Sequence, residues 1–156
     1  MSFARILRDF AAAAEVGDGA SFAALFTEDG VYHDAFYGPF SGRAAIADML
    51  SGLFHRDAEK LKWQMIDPVD NGETGYARWL FSYTSKMARN QGNRVVMEGV
   101  GYFKLRDGLI ARYEDIARTG EAMVQLGLPP EKLHQVLGRH AADLAARPDA
   151  QPHVKG

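Results

Sequence analysis

Residues 25–54, LFTEDGVYHDAFYGPFSGRAAIADMLSGLF, set a strand and a helix side by side with almost no spacer. Asp29-Gly30 is a turn signal, and VYHDAFYG then opens with the β-branched and aromatic residues of a strand. Gly38-Pro39 and Gly42 stop that strand. From Arg43 the apolar period changes: Ile46, Met49, Leu50, Leu53 and Phe54 predict a helix to about His55. Upstream, Phe3, Ile6, Leu7, Phe10 and Ala14 form the stripe of an amphipathic helix over 2–16, broken by Gly17-Asp18-Gly19, and Ser21 is placed to cap a short second helix, SFAALF. Downstream, KLKWQMIDPV, ETGYARWLFSYTSKM, NRVVMEGVGYFKLRD and GLIARYEDIA read as four strands of an antiparallel meander, separated by Asn71-Gly72, Gln91-Gly92-Asn93 and Asp107-Gly108.

Helices first and strands afterwards predict an α+β domain, in which the N-terminal helices close one face of a curved antiparallel or mixed sheet and leave a pocket between the layers. Residues 119–147 turn helical again. Met123, Leu126, Leu133, Val136, Leu137, His140 and Leu144 are spaced for burial, and Pro129-Pro130 starts the last helix. The expected organisation is a domain over 1–118, a C-terminal helical extension over 119–147 and a flexible tail over 148–156.

The chain of 156 residues is 47% hydrophobic, enough for one real core, which excludes disorder. Eighteen Lys plus Arg against twenty Asp plus Glu leave a net charge of -2, so neither nucleic acid nor an anionic membrane is an expected partner. There is no Cys, hence no thiol nucleophile or thiolate metal site, and the five His have no ligand spacing; no metal is expected. The N-terminus reaches Asp9 before any signal-peptide core forms, and no apolar run approaches the roughly 20 residues of a membrane span. A cytoplasmic protein is the expectation. Gly99-Val100-Gly101 lacks the helix and third glycine of a dinucleotide loop and reads as room for a bulge or for a ligand to approach the backbone.

The block F-T-E-D-x-V-Y-x-D over 26–34, followed by G-R-x-A-I over 42–46, resembles ketosteroid isomerase and limonene epoxide hydrolase. G-L-I-A-R-Y-E-D over 108–115 and Q-L-G-L over 125–128 resemble the last strand and trailing helix of SnoaL-like polyketide cyclases. Together they mark a resemblance to the SnoaL-like branch of the nuclear-transport-factor-two-like superfamily, covering residues 1–118. The resemblance implies a cone-shaped α+β roll, a cofactor-free site and dimers through the exposed sheet face, here the side of Glu98, Val100, Tyr102 and Lys104. The superfamily includes isomerases, cyclases, hydrolases and proteins that only bind, so activity has to be argued from the pocket.

Strand alternation puts Tyr32 with Asp34 on one face, and Tyr113 with Asp115 and Ala117 on another. By the resemblance, Asp34 falls where ketosteroid isomerase keeps its base, Tyr32 where the epoxide hydrolase keeps a water-holding tyrosine, and Asp115 on the acid of the last strand. Two carboxyls in one apolar cavity divide into a base and a protonated acid. Other readings stay open: Asp34 as a solvated strand-end residue or the cap of the turn into Gly38, and Asp115 as an ion-pair partner of Arg112 or Arg118. Trp63, Trp79, Phe81, Tyr83, Met97, Phe103, Phe10 and Tyr113 are candidates to contact a hydrophobic substrate, with plain core as the alternative.

The family patterns are incomplete here. The isomerase's hydrogen-bond donors fall on Phe10 and on Gly99 or Gly101. The hydrolase's Arg-x-Asp falls near Trp79 and Phe81, and Asp34 stands where it has an asparagine. The cyclase's basic partner has no counterpart at Met97, Gly99 or Gly101. The expectation is therefore a cofactor-free acid–base enzyme acting on an apolar carbonyl or epoxide compound, the alternative being a non-catalytic hydrophobic-ligand-binding or dimerisation module.

Overall fold

The first helix, α1 (Phe3–Val16), begins where the Ser2 side chain accepts the Arg5 N–H and ends at Gly17, whose N–H returns to the Ala13 and Ala14 carbonyls. The computed structural model describes residues 1–156. The expected stripe, Phe3, Ile6, Leu7, Phe10 and Ala14, is the buried face of α1. The second helix, α2 (Gly19–Ala24), is capped by Asp18, which accepts the Ser21 N–H at 2.9 Å; Ser21, the expected cap, sits inside the helix as the donor.

The sheet has six strands: β1 (Phe26–Asp34), β2 (Gly38–Ser41), β3 (Ala58–Asp70), β4 (Thr74–Ser85), β5 (Arg94–Arg106) and β6 (Leu109–Ala117). Their order is β2-β1-β6-β5-β4-β3. The predicted meander is β3 to β6, and β1 joins it by pairing parallel with β6, so the sheet is mixed. Asp107 and Gly108 both take positive φ, 53° and 72°, as a two-residue hairpin turn with right-handed strand twist requires. The first strand differs from expectation at both ends. It starts at Phe26, ahead of the Asp29-Gly30 signal, and after Asp34 the chain turns over 35–37 and returns as β2, where the sequence predicts an end. Pro39 is tolerated there because β2 is an edge strand.

The helix over 43–55 forms as α3 (Arg43–Asp48), widens to a π-helical segment over Met49–Phe54 and closes in the single turn α4 (His55–Asp57). Helix α5 (Thr119–Gln125) is seated on β5: the Gln125 amide accepts the Val96 N–H and donates to the Val96 carbonyl, both at 2.8 Å. Ala122 and Met123 beneath it are buried.

Helix α6 (Pro130–Ala146) departs from the sequence reading. It starts at Pro130 as expected but buries none of its residues: Leu133, Val136 and His140 are half-covered, while Leu137 and Leu144 are exposed. Of its apolar stripe only Val136 reaches the cavity wall, and none of it enters the core. The expected frayed tail contains a further turn, α7 (Gln151–Val154), held by the Gln151 amide donating to the Ala145 carbonyl at 2.6 Å.

Candidate active site

The concave sheet face, the π-helical segment, α5 and α6 enclose a cavity of about 300 Å³. Alternation along the strands brings Tyr32, Asp34, Trp63, Trp79, Phe81, Tyr83, Met97 and Asp115 to its wall. Three candidates are not there. Phe10, Phe103 and Tyr113 are completely buried in the core at the closed end of the same sheet face. Phe103 packs 5.2 Å from Phe3 and 4.8 Å from Tyr113, and Phe10 packs 5.0 Å from Tyr113, ring centre to ring centre. Phe10 comes from α1 and packs over Phe103 and Tyr113, so the three support the wall from behind.

Asp34 ends β1, and one of its carboxylate oxygens accepts the N–H groups of Phe36 and Tyr37, each at 2.8 Å. It therefore caps the turn and faces the cavity at once. Burial raises its proton affinity, and the two N–H bonds, which favour the ionised form, counter part of that rise. Asp115 lies two residues beyond Tyr113, whose hydroxyl donates to it. It is partly buried and lines the cavity. Desolvation pushes its pKa well above the usual carboxylate range, and the nearby Asp34 charge pushes it further.

The alternative reading of Asp115 as an ion-pair partner fails on geometry. Arg112 pairs with Glu114 across the other sheet face, and Arg118 pairs with Glu98 and Glu121. Two carboxyls thus share one apolar cavity without a cation bound to either; burial pushes both up, and Asp34 alone accepts two backbone N–H groups, which favour its ionised form.

Phe10, Gly99 and Gly101, where the isomerase's donors fall, carry no side-chain hydrogen-bond donor. Gly101 pairs directly with Asp115 across β5 and β6, and a Cβ at Gly101 would meet the Tyr113 ring at 2.9 Å. A Cβ at Gly99 would meet Trp79 at 2.5 Å. Both glycines therefore make room for the chain's own aromatics; they form no bulge and admit no ligand, and the register shift between these strands falls at Lys104/Leu105. The Tyr32 hydroxyl lies near Asp115 without a well-formed hydrogen bond, and the indole N–H groups of Trp63 and Trp79 are buried without a partner.

Several wall residues escape a sequence reading. Tyr37 donates to Asp57 at 2.9 Å, and Asp57 pairs with Arg56. The Tyr83 hydroxyl is pushed up to about 12, first by burial and then by the Asp34 and Asp57 charges. Met123 and Leu126 come from α5, Val136 and Arg139 from α6, and Arg89 from a short turn between β4 and β5. Those segments are joined to the site only by the tertiary fold; the sole local signal is the i, i+3 spacing of Val136 and Arg139.

Residues 7–113 match the family model described as a SnoaL-like domain. The fold is shared with a protein of ketosteroid isomerase-like fold from Catenulispora acidiphila, solved with trimethylamine (TM-score 0.74, 19% identity, covering 83% of this chain and 98% of that one). It is also shared with an epoxide hydrolase of limonene-epoxide-hydrolase type from M. tuberculosis (0.65, 17%, 78% and 86%) and a candidate polyketide cyclase from Xanthomonas campestris pv. campestris (0.64, 23%, 79% and 95%). No curated protein sequence matches the chain. No helix is long and apolar enough to cross a membrane.

Proposed function

The chain belongs to the SnoaL-like domain family, and we propose that it is a cofactor-free acid–base enzyme acting on a small, largely apolar carbonyl or epoxide compound. The observation that carries this reading is the pair Asp34 and Asp115, two carboxyls in one aromatic-walled cavity, the first held by two backbone N–H groups and the second by the Tyr113 hydroxyl. Asp34, whose ionised form the Phe36 and Tyr37 N–H groups favour, is the base that takes a proton from the carbon next to a carbonyl, or from water. Asp115, still protonated, donates to the oxygen on which charge develops, so it does the work of the donors absent at Phe10 and Gly101. The Tyr113 hydroxyl holds the Asp115 carboxyl in place, and Tyr32 stands beside it as a second hydroxyl.

Incubating the chain with 2-tetralone in D₂O and following loss of the α-proton signal by NMR tests the assignment. Exchange should exceed that of buffer and fall by about 10²–10⁴ in Asp34→Asn, the usual worth of a positioned base. Exchange no faster than buffer, or unchanged in Asp34→Asn, overturns it.

We also propose that two copies associate through the outer sheet face. Leu80, Val96 and Ile116 are 38%, 51% and 61% exposed there, on adjoining strands beside the Tyr76–Tyr102 contact. Sedimentation should give a dimer at micromolar concentration, and Ile116→Lys a monomer; a wild-type monomer contradicts the pairing.

A further inference from the structure

Two cations that line the cavity, Arg89 and Arg139, have neither a carboxylate nor a hydrogen-bond partner in the chain. Every other arginine is tied to a carboxylate, except Arg94, which donates to the Lys60 carbonyl at 2.8 Å and the Ser82 hydroxyl at 2.7 Å. Both unpartnered arginines are exposed while lining the cavity, which puts them at its mouth. Arg89 sits on the turn Ala88–Asn90, and that turn is fixed by the buried Ser85 hydroxyl donating to Asn90 at 2.6 Å. Arg139 comes from α6, three residues beyond Val136, on the side of the helix that faces the cavity.

The remaining charges do not cancel them. Asp57, the third carboxylate of the lining, is bound by Arg56 at 2.7 Å and accepts the Tyr37 hydroxyl. On a chain of net charge -2, the mouth therefore carries a local positive spot, with an apolar body and two acids beyond it. A guanidinium presents paired N–H donors that match a carboxylate. Resting on the acid–base reading above, we infer that the substrate is an amphiphilic organic carboxylate: its anionic group is held at the mouth by Arg89 and Arg139, and its apolar, reactive end reaches toward Asp34 and Asp115. Anion binding would also tie α6, which buries no residue of its own, to the rigid Arg89 turn.

The test compares 1-naphthaleneacetate with its neutral near-isostere 1-naphthaleneacetamide by calorimetric titration of the full chain at pH 7.5 and low salt, where the acid is ionised. The carboxylate should bind about tenfold tighter than the amide, a modest factor because both guanidiniums are partly solvated. Arg89→Gln and Arg139→Gln should each erase most of that preference and leave amide binding and melting temperature unchanged. Equal affinity for the two probes, a preference that survives both substitutions, or no binding of either at millimolar concentration overturns the inference. The acid–base reading fails separately, on proton exchange in Asp34→Asn, whereas the charge preference is read with Asp34 intact.

Discussion

Replacing Gly101 by alanine perturbs the site through one methyl group. The new Cβ would lie 2.9 Å from Tyr113 Cε2, 3.0 Å from Phe103 Cε2 and 3.3 Å from Tyr113 Oη. Neither ring can yield easily: both are fully buried, their centres are 4.8 Å apart, and Tyr113 also packs 4.8 Å from Tyr32. Overpacking of this kind costs about 1–3 kcal/mol. The φ at Gly101 is not positive, so alanine suffers no backbone strain, and the restricted unfolded chain returns about 0.5–1 kcal/mol. The net effect is a loss of about 0–2.5 kcal/mol, centred near 1 kcal/mol, or about 2–4 °C in melting temperature at that central value for a domain of this size. Scanning calorimetry measures it against Gly138→Ala on α6, where a Cβ meets nothing within 4 Å and helix propensity favours alanine. The same shift should move the Tyr113 hydroxyl off Asp115 and slow proton exchange. If Gly101→Ala melts at or above the wild-type temperature, the packing argument for that glycine is wrong.

Asp115→Asn should stabilise the fold as pH rises. The buried acid holds its proton more tightly folded than unfolded, so its contribution to stability falls from the unfolded-state value near pH 4 upward through its raised folded value. The variant and wild type should melt together near pH 4 and diverge in the variant's favour by pH 8; a difference that does not vary with pH contradicts the assignment. Gln125→Ala removes both hydrogen bonds to Val96 and should cost about 1–2 kcal/mol by urea denaturation, loosening α5 over the cavity. An unchanged unfolding midpoint would show that α5 is held by Ala122 and Met123 alone.

The fold was legible because its signals are local and periodic. The stripe of α1 and the alternation of Trp79, Phe81 and Tyr83 each mark a face without reference to the rest of the chain. Alternation does not report height along a strand. Met97 and Phe103 share a face of β5, yet Met97 lines the cavity and Phe103 lies under α1. Tyr113 and Asp115 divide in the same way on β6: the tyrosine is core and the acid opens to the cavity. The start of β1 is hidden because Asp29-Gly30 reads as a turn, whereas the strand runs through it as an irregularity between Phe26, paired with Ile110, and Val31, paired with Arg112. The stripe of α6 misleads because apolar spacing looks the same on a core helix and on one that stays half-exposed. Arg89 and Arg139 carry no local signal, and only the tertiary fold sets them on one opening.

The central claim is that Asp34 and Asp115 share a cavity and split into base and acid. Carbon-13 NMR titration of the aspartate side-chain carboxyls, in wild type and in Asp34→Asn, tests it most directly. The account predicts that Asp115 titrates well above the ordinary carboxylate range and above Asp34, and that it moves down when Asp34 is neutralised. Titration of Asp115 in the ordinary range, at the same pH in both proteins, would contradict it.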